Sequence, residues 1–363
     1  MSESAQAVAT CMARLRRSGV ELRERPASET LETLCQVLDA WCVPASLYQQ
    51  QLVADLRESA GFSEEVIRAG LARGLADWNG EALRAVVNSE LGEIDRLDEK
   101  GSNQISGFEL TATILAGAIP MPTLLSMLLP LVLQSPVLVK TGQRDRKTAQ
   151  HVVASIADFD PELAGCISIF DFDRDQTDAT QALLRAPCIV AMGSDPTIKE
   201  LSRHVEAWQR WVPYGHRLSL AVLGPGVQNA AERIQTSKQL AQDVALWDQS
   251  GCLSPAAVFV LGTATDAAKI AESLANALRD LAPEWPRGAI DTRTAAAIHH
   301  EREEARLRSA AGQEVHVYAS DDTGWTVVSE ADSQWRATPL HRFVRVYPVA
   351  GLEALSGALS PLS

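Results

Sequence analysis

The sequence predicts an α/β protein, on three observations. Four short apolar runs, at residues 136–140, 166–170, 188–192 and 218–223, have the length of strands and not of helices. Helical stretches of about ten residues stand between them, the rhythm of strand–helix–strand units with a parallel sheet covered on both faces. The first hundred residues carry the helical period alone.

Taken in order, residues 29–41 and 46–59 place apolar side chains at three- and four-residue steps, so each is a helix with one buried face. Ser63-Glu64-Glu65 ahead of Val66 reads as a helix start, with acids at the positive end of the helix dipole. Residues 95–102 are charged and then rich in Gly, Ser and Asn, which marks a boundary. The expected organisation is a helical N-terminal region over 1–105, a parallel-sheet domain over 106–224, a second α/β domain over 225–342, and a terminal strand and tail over 343–363. In the parallel-sheet domain the helices fall at 146–157, 176–184 and 196–208, the last opened by Ser194-Asp195 as caps. In the second domain, residues 230–247 are helical, 256–261 a strand, 266–280 a helix and 298–310 a charged helix. Residues 314–319, 325–329 and 343–347 read as strands.

Apolar residues make up 46% of the 363 and charged residues 22%, enough for a large core and against disorder. The net charge of −13, without a strong basic patch, excludes free nucleic acid as the expected partner. The N-terminus lacks the basic start and apolar core of a signal peptide. Residues 114–139 are strongly apolar but contain Pro120, Pro122, Pro130 and Pro136, so they are expected as a buried helix and strand, not a membrane span. The six cysteines form no CxxC pair, so no metal site is expected, and their scatter fits the reducing cytoplasm.

The most informative segment is Leu246-Trp-Asp-Gln-Ser-Gly-Cys-Leu-Ser-Pro255. Cys252 stands in a Ser/Gly turn between a helix ending near Asp248 and a strand beginning near Ala256. A cysteine attacks as the thiolate, which nearby backbone N–H groups and helix dipoles favour. On local sequence alone, a small hydrophobic residue in a turn is an equal reading.

The order of landmarks Ile119-Pro120, Val139-Lys140, Gly193-Ser194, Leu223-Gly224 and Cys252 resembles the aldehyde dehydrogenase superfamily. Within it, Ser135-Pro-Val-Leu-Val-Lys-Thr141, Ala191-Met-Gly-Ser-Asp195, Tyr214-Gly-His-Arg217 and the Cys252 segment resemble the LuxC-type acyl-CoA reductases. The resemblance runs from about Gly107 to Val349 and carries little of the first hundred residues. It implies an aldehyde dehydrogenase-like fold, with a Rossmann-type cofactor domain and a second, catalytic α/β domain. It also implies reduction of an acyl-CoA or acyl-carrier thioester to an aldehyde, through a thioester on Cys252 and hydride from a nicotinamide cofactor. An acyl-transferring or synthetase partner and a homo-oligomer are compatible with it. Lys140, Gln143, Arg144, Gly193, Ser194, Leu223 and Gly224 are the implied cofactor residues. Lys140 would reach the adenosine ribose. Gln143 stands where the superfamily often has a Glu that rejects a 2′-phosphate, and Arg144 follows it, so NADPH is expected ahead of NADH. Gly193 and Ser194 open a helix, as a pyrophosphate site or as an ordinary capped helix.

Superfamily members that hydrolyse their thioester carry a Glu two positions before the Gly of the Leu-Gly turn. Here that residue is Val222, which disfavours a hydrolytic dehydrogenase and suits exchange with a thiol carrier. The Asn usual before the Ile-Pro turn, an oxyanion donor worth ~3 kcal/mol in rate, is replaced by Ala118. That departure keeps open a catalytically impaired member acting as a binding or scaffold subunit of a biosynthetic complex. The remaining motifs have plainer readings. His216 is a structural hydrogen-bonder, His299-His300 a solvated pair, Asp171-Phe-Asp-Arg-Asp175 a strand-to-helix loop, and Trp325, Trp335 and Tyr347 either core or the wall of an acyl tunnel.

Overall fold

The computed structural model describes residues 2–99, 105–173 and 175–360, and they fall into two compact units. The first unit holds the residues up to Ala60 together with Leu71–His216; the second holds Gly61–Gly70 and the residues from Arg217 onward.

In the first unit, helices α1 (Glu3–Leu22), α2 (Ala27–Cys42) and α3 (Leu47–Ser59) precede α4 (Glu64–Leu75), whose residues to Gly70 belong to the second unit, and α5 (Gly80–Leu91) follows. Side-chain caps set four of the starts: Ser2, Ser46, Ser63 and Asn79 accept from the backbone N–H groups of Ala5, Gln49, Val66 and Ala82. α1 buries Ala5, Val8, Met12, Leu15, Gly19 and Leu22, one stripe at the helical period. The sheet elements then run β1 (Thr111–Ile114), α6 (Pro120–Val132), β2 (Val137–Lys140), α7 (Thr148–Phe159), α8 (Pro161–Gly165), β3 (Ile167–Phe170), α9 (Thr177–Leu183), β4 (Cys188–Met192), α10 (Asp195–Ser202) and β5 (Arg210–Tyr214). The five strands are all parallel, in the order β3-β2-β1-β4-β5. In such a sheet the strand order reverses between β1 and β4, and the carboxyl ends of the strands there form the ligand-binding edge.

The apolar stretch at 114–139 is thus the end of β1, a buried 13-residue helix and β2. No helix among the described residues is long and apolar enough to cross a membrane.

Two strands of this sheet have no counterpart in the expected elements. β1, the central strand, reads Thr-Ala-Thr-Ile and is buried throughout. Its threonines are satisfied internally, Thr111 Oγ1 lying 2.8 Å from Ser135 Oγ and Thr113 Oγ1 donating to the Ser126 carbonyl at 3.3 Å. β5 lies at the sheet edge, where its Pro213 is tolerated.

The second unit contains β6 (Ser219–Leu223), α11 (Ala230–Ala245), β7 (Pro255–Leu261), α12 (Ala264–Leu281), α13 (Thr292–Ala310), β8 (His316–Ala319), β9 (Thr326–Ser329), β10 (Phe343–Val349) and α14 (Leu352–Leu359). Its sheet runs β6-β7-β10-β9-β8, parallel except for the antiparallel β8–β9 pair. Residues 218–223, expected as the fourth strand of the first sheet, supply the edge strand of this second one. α12 starts in a reciprocal Thr263–Asp266 capping box and lays Ile270, Ala271, Leu274 and Leu278 on Val258, Val260, Val327, Val344 and Val346. Fully buried Arg345 pairs with fully buried Glu330 and with Glu301.

Candidate active site

Cys252 is exposed, while Cys35, Cys166 and Cys188 are buried and Cys11 and Cys42 half-buried. Burial pushes the Cys35 and Cys166 thiols up to about 11 and raises those of Cys188 and Cys42. At neutral pH those four are held as inert thiols. Exposure and position single out Cys252 as the residue able to meet an electrophile.

Its presentation rests on an unusual backbone. α11 ends at Ala245, earlier than the expected Asp248, and a short 3-10 turn follows. Within it Trp247, Asp248 and Gln249 take φ values of 51°, 48° and 63°, three left-handed residues in succession without a glycine. The left-handed conformation costs ~1–2 kcal/mol for each such residue, so roughly 3–6 kcal/mol for the three. Three sets of anchors offset it. Trp247 is buried, edge-on to Phe62 with ring centroids 5.4 Å apart, and its indole fills the space over Gly70. The Asp248 carboxylate accepts from the Gly288 N–H at 3.0 Å and from Arg342 Nε at 2.9 Å, and Arg342 Nη2 lies 2.7 Å from the same oxygen. The Gln249 amide donates to the carbonyls of Pro255 and Phe343 at 2.8 and 3.1 Å and accepts from the Phe343 N–H at 2.9 Å. From this clamp the chain emerges through Ser250 and Gly251 to Cys252. The Ser219 hydroxyl, on β6, donates to the Cys252 carbonyl, and the Ser254 N–H to that of Gly251 at 3.0 Å. Leu253, the next residue, is 85% exposed.

Val222 and Leu223 end β6, Gly224 follows it, and all three belong to the same unit as Cys252. Val222 is 45% exposed and pairs in register with Phe259. Leu223 is buried in the core under α12, and a side chain at Gly224 would meet open space.

Lys140, Gln143, Arg144, Gly193 and Ser194 lie in the first unit, and Lys140, Gly193 and Ser194 stand at the carboxyl ends of β2 and β4. Lys140 Nζ stands 5.3 Å from the Phe172 ring centroid. Gln143 is exposed; Arg144 is exposed and donates to the Ala60 carbonyl at 3.2 Å. Next to them, Gly117 has φ +89° with open space where a side chain would be, and a Cβ on Gly142 would come within 3.3 Å of the Ala116 and Gly117 backbone. Small residues keep this edge low, as a flat ligand against the backbone requires.

At the head of α10 the donors are fewer. The Gly193 N–H is taken by the Tyr214 carbonyl at 3.1 Å, Pro196 has none, and the Asp195 carboxylate accepts from the His216 N–H at 2.7 Å. Lys140 and Arg144 are the two cations at this edge among the expected cofactor residues. The edge offers a pyrophosphate little at α10.

Several of the other singled-out residues make structural contacts. His216 is exposed and its backbone N–H is bound to Asp195. His299 and His300 are exposed on α13. Asp171 and Asp173 pair with Arg146 at 3.0 and 3.3 Å. Tyr347 stacks between Phe259 and Trp335 at 5.1 and 6.3 Å, and its hydroxyl bonds the Arg336 backbone. Trp325 is buried with the α12 core. Among the described residues no cluster of His, Cys, Asp and Glu could hold a metal ion.

Three comparisons with known proteins bear on these features. Residues 22–362 match the family model for acyl-CoA reductase (LuxC). The chain belongs to the LuxC acyl-CoA reductase family. It is 24% identical over 319 residues to a long-chain acyl-protein thioester reductase of Aliivibrio fischeri, covering 84% of this chain and 63% of that one. Against long-chain acyl-protein thioester reductase 2 of Photobacterium leiognathi it is 22% identical, over 82% of this chain and 62% of the relative. This LuxC-family chain therefore spans less than two thirds of the length of these relatives. Solved aldehyde dehydrogenase structures share its fold. The NAD-dependent benzaldehyde dehydrogenase of Corynebacterium glutamicum superposes with a TM-score of 0.74 at 14% identity, over 98% of this chain and 78% of that one. The NADP-dependent glyceraldehyde-3-phosphate dehydrogenase of Bacillus halodurans C-125, complexed with NADP, does so at 0.70 and 15%, over 97% and 75%. The fold is aldehyde dehydrogenase-like, as the order of landmarks implied.

Proposed function

We propose that this LuxC-family chain reduces a long-chain acyl thioester, carried on CoA or on an acyl-bearing protein, to an aldehyde, with Cys252 as nucleophile. The carrying observation is the exposed Cys252, held out from a strained turn whose every residue is anchored in the core. On this reading the Cys252 thiolate attacks the thioester carbonyl, the carrier thiolate leaves and takes up a proton, and the acyl group rests on Sγ. The Cys252 backbone N–H faces the developing oxyanion. A nicotinamide cofactor supplies the hydride. Loss of Sγ from the reduced adduct then frees the aldehyde. Val222 places no base where water could be activated, so the bound acyl group waits for reduction or for return to a thiol.

The unit holding β1–β5 is assigned to the cofactor, with Lys140 at the ribose and Gln143 and Arg144 admitting a 2′-phosphate. NADPH is therefore preferred to NADH. The unit holding β6–β10 is assigned to catalysis. The thioester-reductase names of the relatives support the reduction, and a dehydrogenase of the same fold complexed with NADP supports a nicotinamide cofactor.

The test is incubation with a panel of acyl-CoAs and NADPH, following absorbance loss and free CoA, with mass spectrometry of the acylated chain. The adduct should sit on the Cys252 peptide and vanish, together with reduction, in Cys252→Ser. An adduct on Cys166 or Cys188 would refute the assignment. Buried Ala118, with no donor side chain, favours a second reading, a binding subunit without turnover. That reading requires no adduct and no reduction with any acyl-CoA.

A further inference from the structure

Arg342 lies 90 residues beyond Cys252 in the sequence, is 2% exposed, and belongs to the second run of three left-handed residues, Leu340, His341 and Arg342, with φ of 59°, 56° and 65°. The two such runs in the described residues are bonded to each other. Arg342 reaches Asp248 in the middle of the first run, and Gln249 bonds both backbone groups of Phe343, which follows the second. Arg342 Nη1 is held in turn by the Trp285 carbonyl at 2.7 Å. A lysine could supply the charge there but not a fork that serves Asp248 and Trp285 together.

We propose that Arg342 is a positioning residue for Cys252, latching the two left-handed turns so that the nucleophile's loop keeps its reactive presentation; this rests on Cys252 being the nucleophile. Without the latch, Asp248 is a buried carboxylate lacking its cation in a backbone conformation it does not favour. The turn then relaxes, and Cys252 moves with it. Substrate and cofactor recognition elsewhere in the chain are untouched by that movement.

The experiment uses the full chain with Arg342→Lys, Arg342→Met, and the doubles Arg342→Met/Asp248→Gly and Arg342→Met/Asp248→Ala. Arg345→Met, which breaks an equally buried ion pair in the same unit, is the control. Hydrogen–deuterium exchange reads the peptide spanning 247–252, and quenched mass spectrometry reads the acylation rate with a long-chain acyl-CoA. Arg342→Lys should speed exchange in that peptide and slow acylation roughly tenfold or more, as small misplacements of a reacting group do, with KM for NADPH unchanged. In the Arg342→Met background, glycine at 248 should restore acylation and alanine should not, because glycine adopts the left-handed backbone without strain. The proposal is overturned if exchange in 247–252 is unchanged, if exchange rises while acylation holds, if glycine does no better than alanine, or if Arg345→Met slows acylation as much. Absence of any adduct on Cys252 in the unaltered chain refutes the nucleophile assignment instead. The exchange result still decides whether Arg342 holds the turn.

Discussion

Gly70→Ala sets two effects against each other on the helix that packs under the left-handed turn at 247–249. In the interior of α4, alanine should stabilise by ~1 kcal/mol relative to glycine. Opposing this, a Cβ at Gly70 would lie 2.3 Å from Trp247 Cε2 and Cζ2 and 2.8 Å from its Nε1. Ordinary contact is ~3.5–4 Å, so the indole would have to retreat by more than an ångström. It has little freedom to do so, since Phe62 packs against it and Trp247 is 4% exposed. Overpacking of a core costs ~1–3 kcal/mol, and a 2.3 Å approach to a wedged ring belongs at the upper end. The net expectation is a loss of ~2 kcal/mol, a fall in melting midpoint of roughly 4–8 °C for a unit of this size. Gly74→Ala is the internal comparison: its Cβ would meet Met121 Cε, Sδ and Cγ at 2.6, 2.9 and 3.0 Å, an unbranched side chain that yields more readily than a wedged indole, so that variant should lose less than Gly70→Ala. Calorimetry on the two variants, with the acylation rate at Cys252 measured beside it, decides the matter. A Gly70→Ala protein as stable as Gly74→Ala, with unchanged acylation, would show that Trp247 is not wedged and that the turn does not depend on it.

Three further outcomes are expected. Val222→Glu should let the acyl-enzyme hydrolyse, by a factor within the ~10²–10⁴ of general-base catalysis, and acid release followed against the unaltered chain checks it. The preference for NADPH, read as the ratio of kcat/KM values, should move toward NADH in Arg144→Glu, and an unmoved ratio would remove Arg144 from phosphate recognition. The buried thiols of Cys35 and Cys166 have folded-state values raised from 9.0 to about 11, so their contribution to stability is full below the unfolded value and is lost as pH rises to about 11; iodoacetamide at pH 8 should accordingly label Cys252 first, and denaturant midpoints should fall across that alkaline window.

Much of the fold was legible because buried parallel strands are short apolar runs. Residues 136–140, 166–170, 188–192 and 256–261 have no competing reading, and β2, β3, β4 and β7 lie on them. β1 escaped because half of it is threonine, and the Ser135 and Ser126 partners that make a buried threonine acceptable are visible only in three dimensions. β5 escaped because an edge strand need not be apolar: Arg-Trp-Val-Pro-Tyr is exposed at three of its five positions. β6 was read as a strand but given to the wrong sheet. An apolar run states that a strand is buried and is silent on which neighbour it pairs with. The helix after β4 is expected to reach Trp208 and stops at Ser202, where residues 203–209 turn toward β5 without a glycine or proline to announce it.

The candidate site divides along the same line. Cys252 stands out in the sequence as a candidate by its Ser/Gly surroundings and its place in an ordered set of landmarks, and the structure adds that it is exposed. The means of holding it was not legible, because local sequence argues the other way. Trp-Asp-Gln after a helix end contains no glycine or asparagine, the residues that adopt the left-handed backbone at least cost. Trp247 would be expected to continue the helix, and Asp248 and Gln249 to face solvent. What reverses this is a set of partners far away in sequence: Phe62, Gly70, Gly288, Arg342 and Phe343. Each supplies a contact that the extended helix would forfeit, and together they outweigh a local cost of roughly 3–6 kcal/mol. Such a turn forms only when the whole unit has folded, so the geometry of the loop at 247–252 is set by β10 and α4 as much as by the segment that carries the cysteine.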